Sequence, residues 1–249
     1  MYNPRGFPEG LLVSCPKINV ILDRASLFNH KPHFLLVEVD LKEMVLTKNK
    51  EGKLNVDSLK VVHPSGSSPS VPLQIDILNL SIGKIVYKDY TVGTYPSVRV
   101  FDVNRHQTYK SIPTARQLAV LVLSEPMKAA AIKDAEIYGV ALVAGVGMLP
   151  VAVVATFTSK DSVEQSVDAG IEDVYKISLQ VVRGMGTITK DDESNGVIKA
   201  DINGSTVALQ LRKGADNKTK ITISARKYML PQLEIAGGVL YQILNKMGQ

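Results

Sequence analysis

Histidine side chains are the first groups in this 249-residue chain to consider for catalysis or metal binding. His30 and His33 are close in sequence, with only a lysine and a proline between them. No cysteine or further histidine lies near enough in sequence to complete a metal site with them. We therefore interpret both as exposed loop residues. His63 and His106 are isolated, and we interpret them in the same way.

Serine and cysteine nucleophiles need a local structure that activates them, and the sequence offers none. A serine hydrolase of the common type holds its nucleophile in a Gly-x-Ser-x-Gly turn, which is absent here. The densest serines lie in a flexible Pro-Gly linker at residues 64–70. Cys15 stands beside Pro16 at the start of a strand, with no sequence sign of activation. We predict no catalytic residue, and an enzyme is the third of the three functions we consider.

Glycine pairs and one acidic run resemble fragments of cofactor and metal motifs. Residues 145–147 and 184–186 both read Gly-x-Gly, but neither continues to a third glycine or to Gly-Lys-Ser/Thr. Close packing therefore explains them better than phosphate binding. Residues 191–193 are acidic and precede the turn Asn195-Gly196, which predicts a solvated loop rather than a calcium site. No metal and no cofactor are expected.

Composition limits the class of protein. Hydrophobic residues make up 45% of the chain, which is enough for packed cores and excludes intrinsic disorder. A single cysteine excludes a disulfide framework, and the low aromatic content favours a strand-rich body with aliphatic packing. The net charge of +5 is spread among acidic residues, so we predict no nucleic-acid partner.

Residues 1–104 alternate between apolar and polar side chains. This period of two predicts an antiparallel sheet that is covered on one face. Residues 114–138 change to helical spacing and contain Pro126, which predicts two short helices around the proline. The predicted strands lie in Lys17–Asp23, Leu35–Leu41, Ile75–Leu80, Gly83–Tyr87 and Val98–Val103.

The last 85 residues predict a small α-β-β-β-α domain. An amphipathic helix over Asp168–Met185 would bury Ile171, Val174, Ile177, Val181 and Met185. Turns at Asn195-Gly196 and Asn203-Gly204 separate strands at Val197–Ile202, Thr206–Leu211 and Lys220–Ala225, and Thr187–Lys190 is a further short candidate. Pro231 opens a closing helix.

An uncharged run of 21 residues, Ile137–Phe157, separates the two regions. Its length is sufficient for a membrane span. Its three glycines and Pro150 fit a buried helix or a linker equally well. We therefore divide the chain into a β-sheet domain with terminal helices at 1–136, an apolar linker or helix at 137–160, and an α+β domain at 161–249.

Three segments resemble AsmA-like bacterial envelope proteins over about residues 1–130. Tyr2–Phe7 resembles the N-P-x-G-F segment of that family, and Leu41–Leu59 resembles its strand, N-x-x-G-x-L-N turn and D-x-L exit. Gly83–Asp89 resembles a strand that ends in G-x-V-x-Y-x-D. Residues 160–249 are similar to small α+β domains of unknown function in bacterial envelope proteins.

The resemblance implies a curved sheet in the periplasm whose aliphatic groove shields phospholipid acyl chains during lipid transport or outer-membrane biogenesis. It also implies an N-terminal inner-membrane helix. This sequence starts with neither an anchor nor a signal peptide, so we expect that helix in a full-length parent. The alternatives are a closed core under the 114–138 helices and a scaffold that docks an envelope protein. The groove candidates are Ile18, Val20, Leu22, Val37, Val39, Leu41, Ile75, Ile77, Val98 and Val100.

Overall fold

A computed structural model describes residues 1–29, 31–59, 72–91, 95–130, 132, 161–214 and 218–248. They fall into two compact units. Unit 1 contains the described residues of Met1–Val86 and Asp102–Val154, and unit 2 those of Tyr87–Phe101 and Ala155–Gln249. Both units are rich in strands, and three helices are described, which confirms the α+β class. The expected apolar linker, including Ile137–Phe157, lies outside the described residues.

The first sheet is built on unit 1. Its strands are β1 (Val13–Ser14), β2 (Lys17–Leu22), β3 (His33–Lys48), β4 (Pro72–Asp89) and β5 (Ser97–Thr114). The strand order is β1-β3-β4-β5, and β2 also pairs with β3. Strand β3 is long enough to hold β1 and β2 at different points along one edge. The distal ends of β4 and β5 belong to unit 2.

Strands β3 and β4 run parallel, which the sequence analysis did not predict. The backbone N–H of Gln74 donates to the carbonyl of Pro32 at 3.0 Å, near the start of both strands. Further along, the Nζ of Lys84 lies 2.8 Å from Glu43 Oε2. Residue numbers therefore rise together along the two strands. The connection, residues 49–71, exceeds the dozen residues that a parallel crossover needs.

Strands β4 and β5 run antiparallel, as predicted. The Thr108 hydroxyl donates to Asn79 Oδ1 at 2.8 Å, and Ser81 Oγ lies 2.8 Å from His106 Nδ1. One residue number rises as the other falls. These four polar side chains lie on the outer face of the sheet, so the alternate residues of both strands face inward.

Helix α1 (Ala115–Ala129) follows β5 directly. Its N-terminus is capped by Thr114, whose hydroxyl accepts a hydrogen bond from the N–H of Gln117 at 3.1 Å. The expected break at Pro126 is wrong, because the helix continues through this proline to Ala129. Nearly every side chain from Val120 to Met127 is buried, and this packing holds the turn around Pro126 although its ring removes one hydrogen bond.

Unit 2 contains a second sheet and two helices. The elements are β6 (Val163–Val167), α2 (Ile171–Met185), β7 (Thr187–Asp192), β8 (Val197–Ile202), β9 (Ser205–Lys213), β10 (Thr219–Lys227), β11 (Leu230–Pro231) and α3 (Leu233–Met247). The sheet has the order β11-β10-β9-β8-β7, β6 also pairs with β10, and all pairs are antiparallel. The predicted strands and both predicted helices are present, whereas β6 and β11 were not predicted. The predicted start of the closing helix is wrong, because Pro231 lies in β11 and α3 begins at Leu233.

The core of unit 2 lies between its sheet and its two helices. Helix α2 buries Val174, Tyr175 and Val182, whereas the predicted Ile177 and Val181 are only partly buried. The buried side is therefore rotated by about one residue from the predicted stripe. The other fully buried apolar side chains include Ala236, Val239, Ile243, Ile198, Ile202, Val207, Leu209, Leu211, Ile221 and Ile223.

Residues 87–101, the distal parts of β4 and β5, pack within unit 2 against α3. A Cβ built at Gly238 would lie 1.9 Å from the carbonyl oxygen of Val98. The neighbouring Gly237 faces Val100 at 3.3 Å. The Nδ2 of Asn203 also donates to Ser97 Oγ at 2.7 Å. The two adjacent glycines thus allow strand and helix backbones to approach closely.

Candidate functional site

The inner face of the first sheet carries the apolar side chains that the sequence analysis singled out. Its buried part is formed by alternate residues of β3 and β4. Because the two strands are parallel neighbours in register, these side chains lie side by side on one face. The members are Val37, Val39 and Leu41 on β3 and Leu78, Leu80 and Ile82 on β4, all buried.

The same face continues onto the edge strand β2, where it is not covered. Ile18 lies opposite Val39 and Val20 opposite Val37, so both point to the inner face. Ile18 is 61% exposed and Val20 49% exposed, although their partners on β3 are buried. We call Ile18 and Val20 the open edge.

Helix α1 approaches the inner face at Tyr109 of β5. Glu125 of α1 lies close to Tyr109 of β5, which alternates with the outward-facing Thr108 and therefore faces inward. Burial raises the pKa of Tyr109 well above its ordinary value, and the negative charge of Glu125 adds to the rise. The phenol therefore stays protonated at physiological pH.

A polar cluster of Gln107, Tyr109, Glu125 and Lys128 lies at this contact. The Tyr109 hydroxyl donates to Gln107 Oε1, and Lys128 Nζ lies 2.7 Å from Glu125 Oε1. Both charged side chains are largely buried and neutralise one another. With a protonated phenol and a paired carboxylate, the cluster offers no activated base. It joins the helix to the sheet.

The groove candidates separate into four groups, of which the last lies away from this face. Four candidates are buried, as in a closed core: Val37, Val39, Leu41 and Ile75. Ile18 and Val20 form the open edge, and Leu22, beyond a register shift after Ile21, is half-buried opposite Phe34.

Three candidates lie away from this face, contrary to the prediction from the sequence. Ile77 is exposed, because the buried positions on β4 pass from Ile75 to Leu78 and the alternation shifts between them. Val98 and Val100 lie in unit 2 beside Gly238 and Gly237. A period of two applied across an irregular strand assigns the wrong face.

Two asparagines join segments that carry the family resemblance, and the sequence analysis did not single them out. The Nδ2 of Asn55 donates to Asn3 Oδ1 at 2.7 Å and to the carbonyl of Val45 at 2.9 Å. Asn3 in turn donates to the carbonyl of Pro8 at 2.8 Å. Asn55 is fully buried. The N-P-x-G-F segment and the N-x-x-G-x-L-N turn therefore support one another across 52 residues.

The histidines within the described chain form structural pairs. His33 Nε2 lies 2.8 Å from Asp76 Oδ1, and this hydrogen bond lowers the pKa of the Asp76 carboxyl. His106 pairs with Ser81 on the exposed outer face, in the same row as Asn79 and Thr108. No three His, Cys, Asp or Glu side chains are arranged to hold a metal ion in the part of the chain that the structure describes. His30 and His63 lie outside it.

Comparison of the sequence with known protein families and with curated proteins found no match. None of the described helices is long and apolar enough to cross a membrane.

Proposed function

We propose that this chain is a non-enzymatic, AsmA-like module of the bacterial cell envelope that binds phospholipid acyl chains along the open edge of unit 1. The observation that carries the proposal is the exposure of Ile18 and Val20 beside the buried Val39 and Val37. An apolar face that ends uncovered at an edge strand gains free energy from any apolar partner. Each buried methylene group contributes about 0.8 kcal/mol.

The envelope assignment rests on the family resemblance. The bond between Asn3 and Asn55 supports it, because both residues belong to segments that resemble the family and they meet in the fold. The proposed place is the periplasm, with an inner-membrane anchor in a full-length parent. The proposed role is lipid handling or outer-membrane assembly.

The test is native mass spectrometry of detergent-free protein, with lipid extraction of the same sample. Ile18→Asp is expected to abolish co-purified or liposome-derived phospholipid. Ile21→Asp is the matched control, because Ile21 lies on the same strand and is 53% exposed, but points to the opposite face. Equal lipid on both variants, or an apo mass for the unmodified chain after exposure to liposomes, would contradict acyl binding at the open edge.

A second candidate function is an envelope protein–protein interaction scaffold with a closed core. The burial of Val37, Val39 and Leu41 favours it, because these side chains already have partners within the chain. In that case β2, an edge strand without a proline, would dock a partner protein. Under this alternative, neither the unmodified chain nor the Ile21→Asp variant carries lipid.

A further inference from the structure

Two hairpins in unit 2 share one turn geometry but have different sequences. Asn203 and Gly204 connect β8 to β9 with φ angles of 55° and 72°. Tyr228 and Met229 connect β10 to β11 with φ angles of 49° and 68°. Both are two-residue turns with left-handed backbone at both positions. Asn-Gly is the sequence that this turn favours, and an aromatic or long apolar side chain is disfavoured there.

The residues at the second turn are also nearly fully exposed. Tyr228 is 89% exposed, Met229 87% and Leu230 66%. We call these three residues the hairpin tip. Packing within the described chain does not account for such large apolar side chains at these positions. The left-handed backbone of the turn also disfavours Tyr228 and Met229. Strained backbone that carries exposed apolar side chains is characteristic of a contact surface.

Two cations directly precede the hairpin tip, and Lys227 is the one nearer to it. From Arg226 to Leu233 the sequence has two cations and no acidic residue. Arg226 forms an ion pair with Asp161 at 2.6 Å, and Lys227 Nζ lies 5.9 Å from the centre of the Tyr228 ring. Lys227 is thus held beside the apolar side chains, where its ammonium group can reach the phosphate of a lipid while its stem stays apolar.

The backbone of the hairpin is paired up to the turn. Arg226 lies opposite Pro231 and Lys227 opposite Leu230 in the antiparallel ladder. Proline has no N–H group, so the edge strand β11 exposes one donor fewer than an ordinary edge strand. This matters because an unpaired backbone group is costly in an apolar phase.

We propose that the hairpin tip inserts into the interfacial layer of an anionic phospholipid membrane. Met229 and Leu230 enter the acyl region, Tyr228 lies at the headgroup level and Lys227 contacts phosphate. A fluid bilayer accepts a small convex tip, whereas three side chains provide far less than the roughly 800 Å² per partner of a standard protein interface. This proposal does not depend on lipid binding by unit 1.

The test is co-sedimentation of the full chain with phosphatidylcholine vesicles that contain either about 30% phosphatidylglycerol or none, because anionic lipid attracts basic side chains near the membrane surface. The double variant Tyr228→Asn/Met229→Gly copies the turn of Asn203 and Gly204. It is expected to lose at least about tenfold in partition to anionic vesicles, equivalent to 1.4 kcal/mol. Because the new turn is unstrained, its unfolding temperature should equal or exceed that of the unmodified chain.

Two controls separate the hairpin tip from other membrane contacts. Tyr2→Asn removes an exposed tyrosine of unit 1 and should leave partition unchanged. Phe28→Asn, which removes an exposed phenylalanine outside both the open edge and the hairpin tip, should also leave partition unchanged. Unchanged partition of the double variant would overturn the proposal, as would failure of the unmodified chain to bind anionic vesicles. The second result would point instead to a protein partner.

Discussion

Gly237 and Gly238 provide a stringent test of the packing in unit 2, because the two neighbours should respond oppositely to the same substitution. Alanine is favoured over glycine in a helix interior by about 1 kcal/mol. From helix propensity alone, both Gly237→Ala and Gly238→Ala would stabilise α3. The structure predicts that only one of them can approach this gain.

The magnitude follows from the space at each position. At Gly238 the new methyl group would lie 1.9 Å from the Val98 carbonyl oxygen and 2.6 Å from its carbon, so the strand must move by more than about 1 Å to reach contact distance. Overpacking costs about 1–3 kcal/mol, and uncovering the buried Val98 costs about 1.5–3 kcal/mol more. After subtraction of the propensity gain of about 1 kcal/mol, Gly238→Ala should destabilise unit 2 by about 1.5–5 kcal/mol.

At Gly237 the nearest atom is the Cβ of Val100 at 3.3 Å, so a shift of a few tenths of an ångström suffices. Gly237→Ala should therefore change stability by no more than about 1 kcal/mol in either direction. Urea unfolding, with hydrogen exchange resolved along β5 and α3, measures both variants. Equal stability of Gly238→Ala and Gly237→Ala, or a loss of protection outside β5 and α3, would contradict the close approach of Gly238 to Val98.

Two further predictions concern unit 1. Leu80→Ala should lower the free energy of unfolding by about 2–5 kcal/mol, because Leu80 is fully buried. Ile77→Ala should lower it by about 1 kcal/mol or less, because Ile77 is exposed. Urea unfolding of both variants tests the shift in alternation on β4. Glu125→Gln should lower the pKa of Tyr109 by removing a negative charge, as measured by tyrosinate absorbance in an alkaline titration. Because the folded pKa exceeds the unfolded value of 10.0, the stability from the neutral phenol is complete below pH 10 and is lost at higher pH. Burial also raises the pKa of Tyr175, which therefore contributes to the same pH dependence. An unchanged Tyr109 titration in Glu125→Gln would contradict the contact between Glu125 and Tyr109.

Sequence patterns predicted most of the strands and helices of unit 2, because two of its turns have the Asn-Gly sequence that favours tight hairpins. Asn195-Gly196 and Asn203-Gly204 mark positions of left-handed backbone, and the strand Val197–Ile202 between them was predicted with the bounds that the structure has. The turn at Tyr228-Met229 has the same geometry without the usual residues. It was therefore not predicted, and β11 was missed with it.

The sequence was less informative in unit 1, where the determining interactions are distant in the chain. The parallel pairing of β3 and β4 depends on contacts about 40 residues apart, and alternation within each strand does not encode it. The hydrogen bond between Asn55 and Asn3 and the contact between Glu125 and Tyr109 are likewise visible only after folding. The shift in alternation between Ile75 and Leu78 placed Ile77 on the wrong face in the prediction.

Energetics decide where an acyl chain would bind unit 1. Exposing Val37, Val39 and Leu41 to open a deep groove would cost roughly 5–9 kcal/mol, which about 6–11 methylene groups would have to offset before any net binding. Ile18 and Val20 require no such opening, because they are already exposed. Edge binding therefore predicts an affinity that rises smoothly with acyl-chain length, whereas a deep groove predicts a threshold at medium chain length. A series of lysophospholipids of increasing length distinguishes the two modes, and a threshold would move the lipid site from the open edge into the sheet interior.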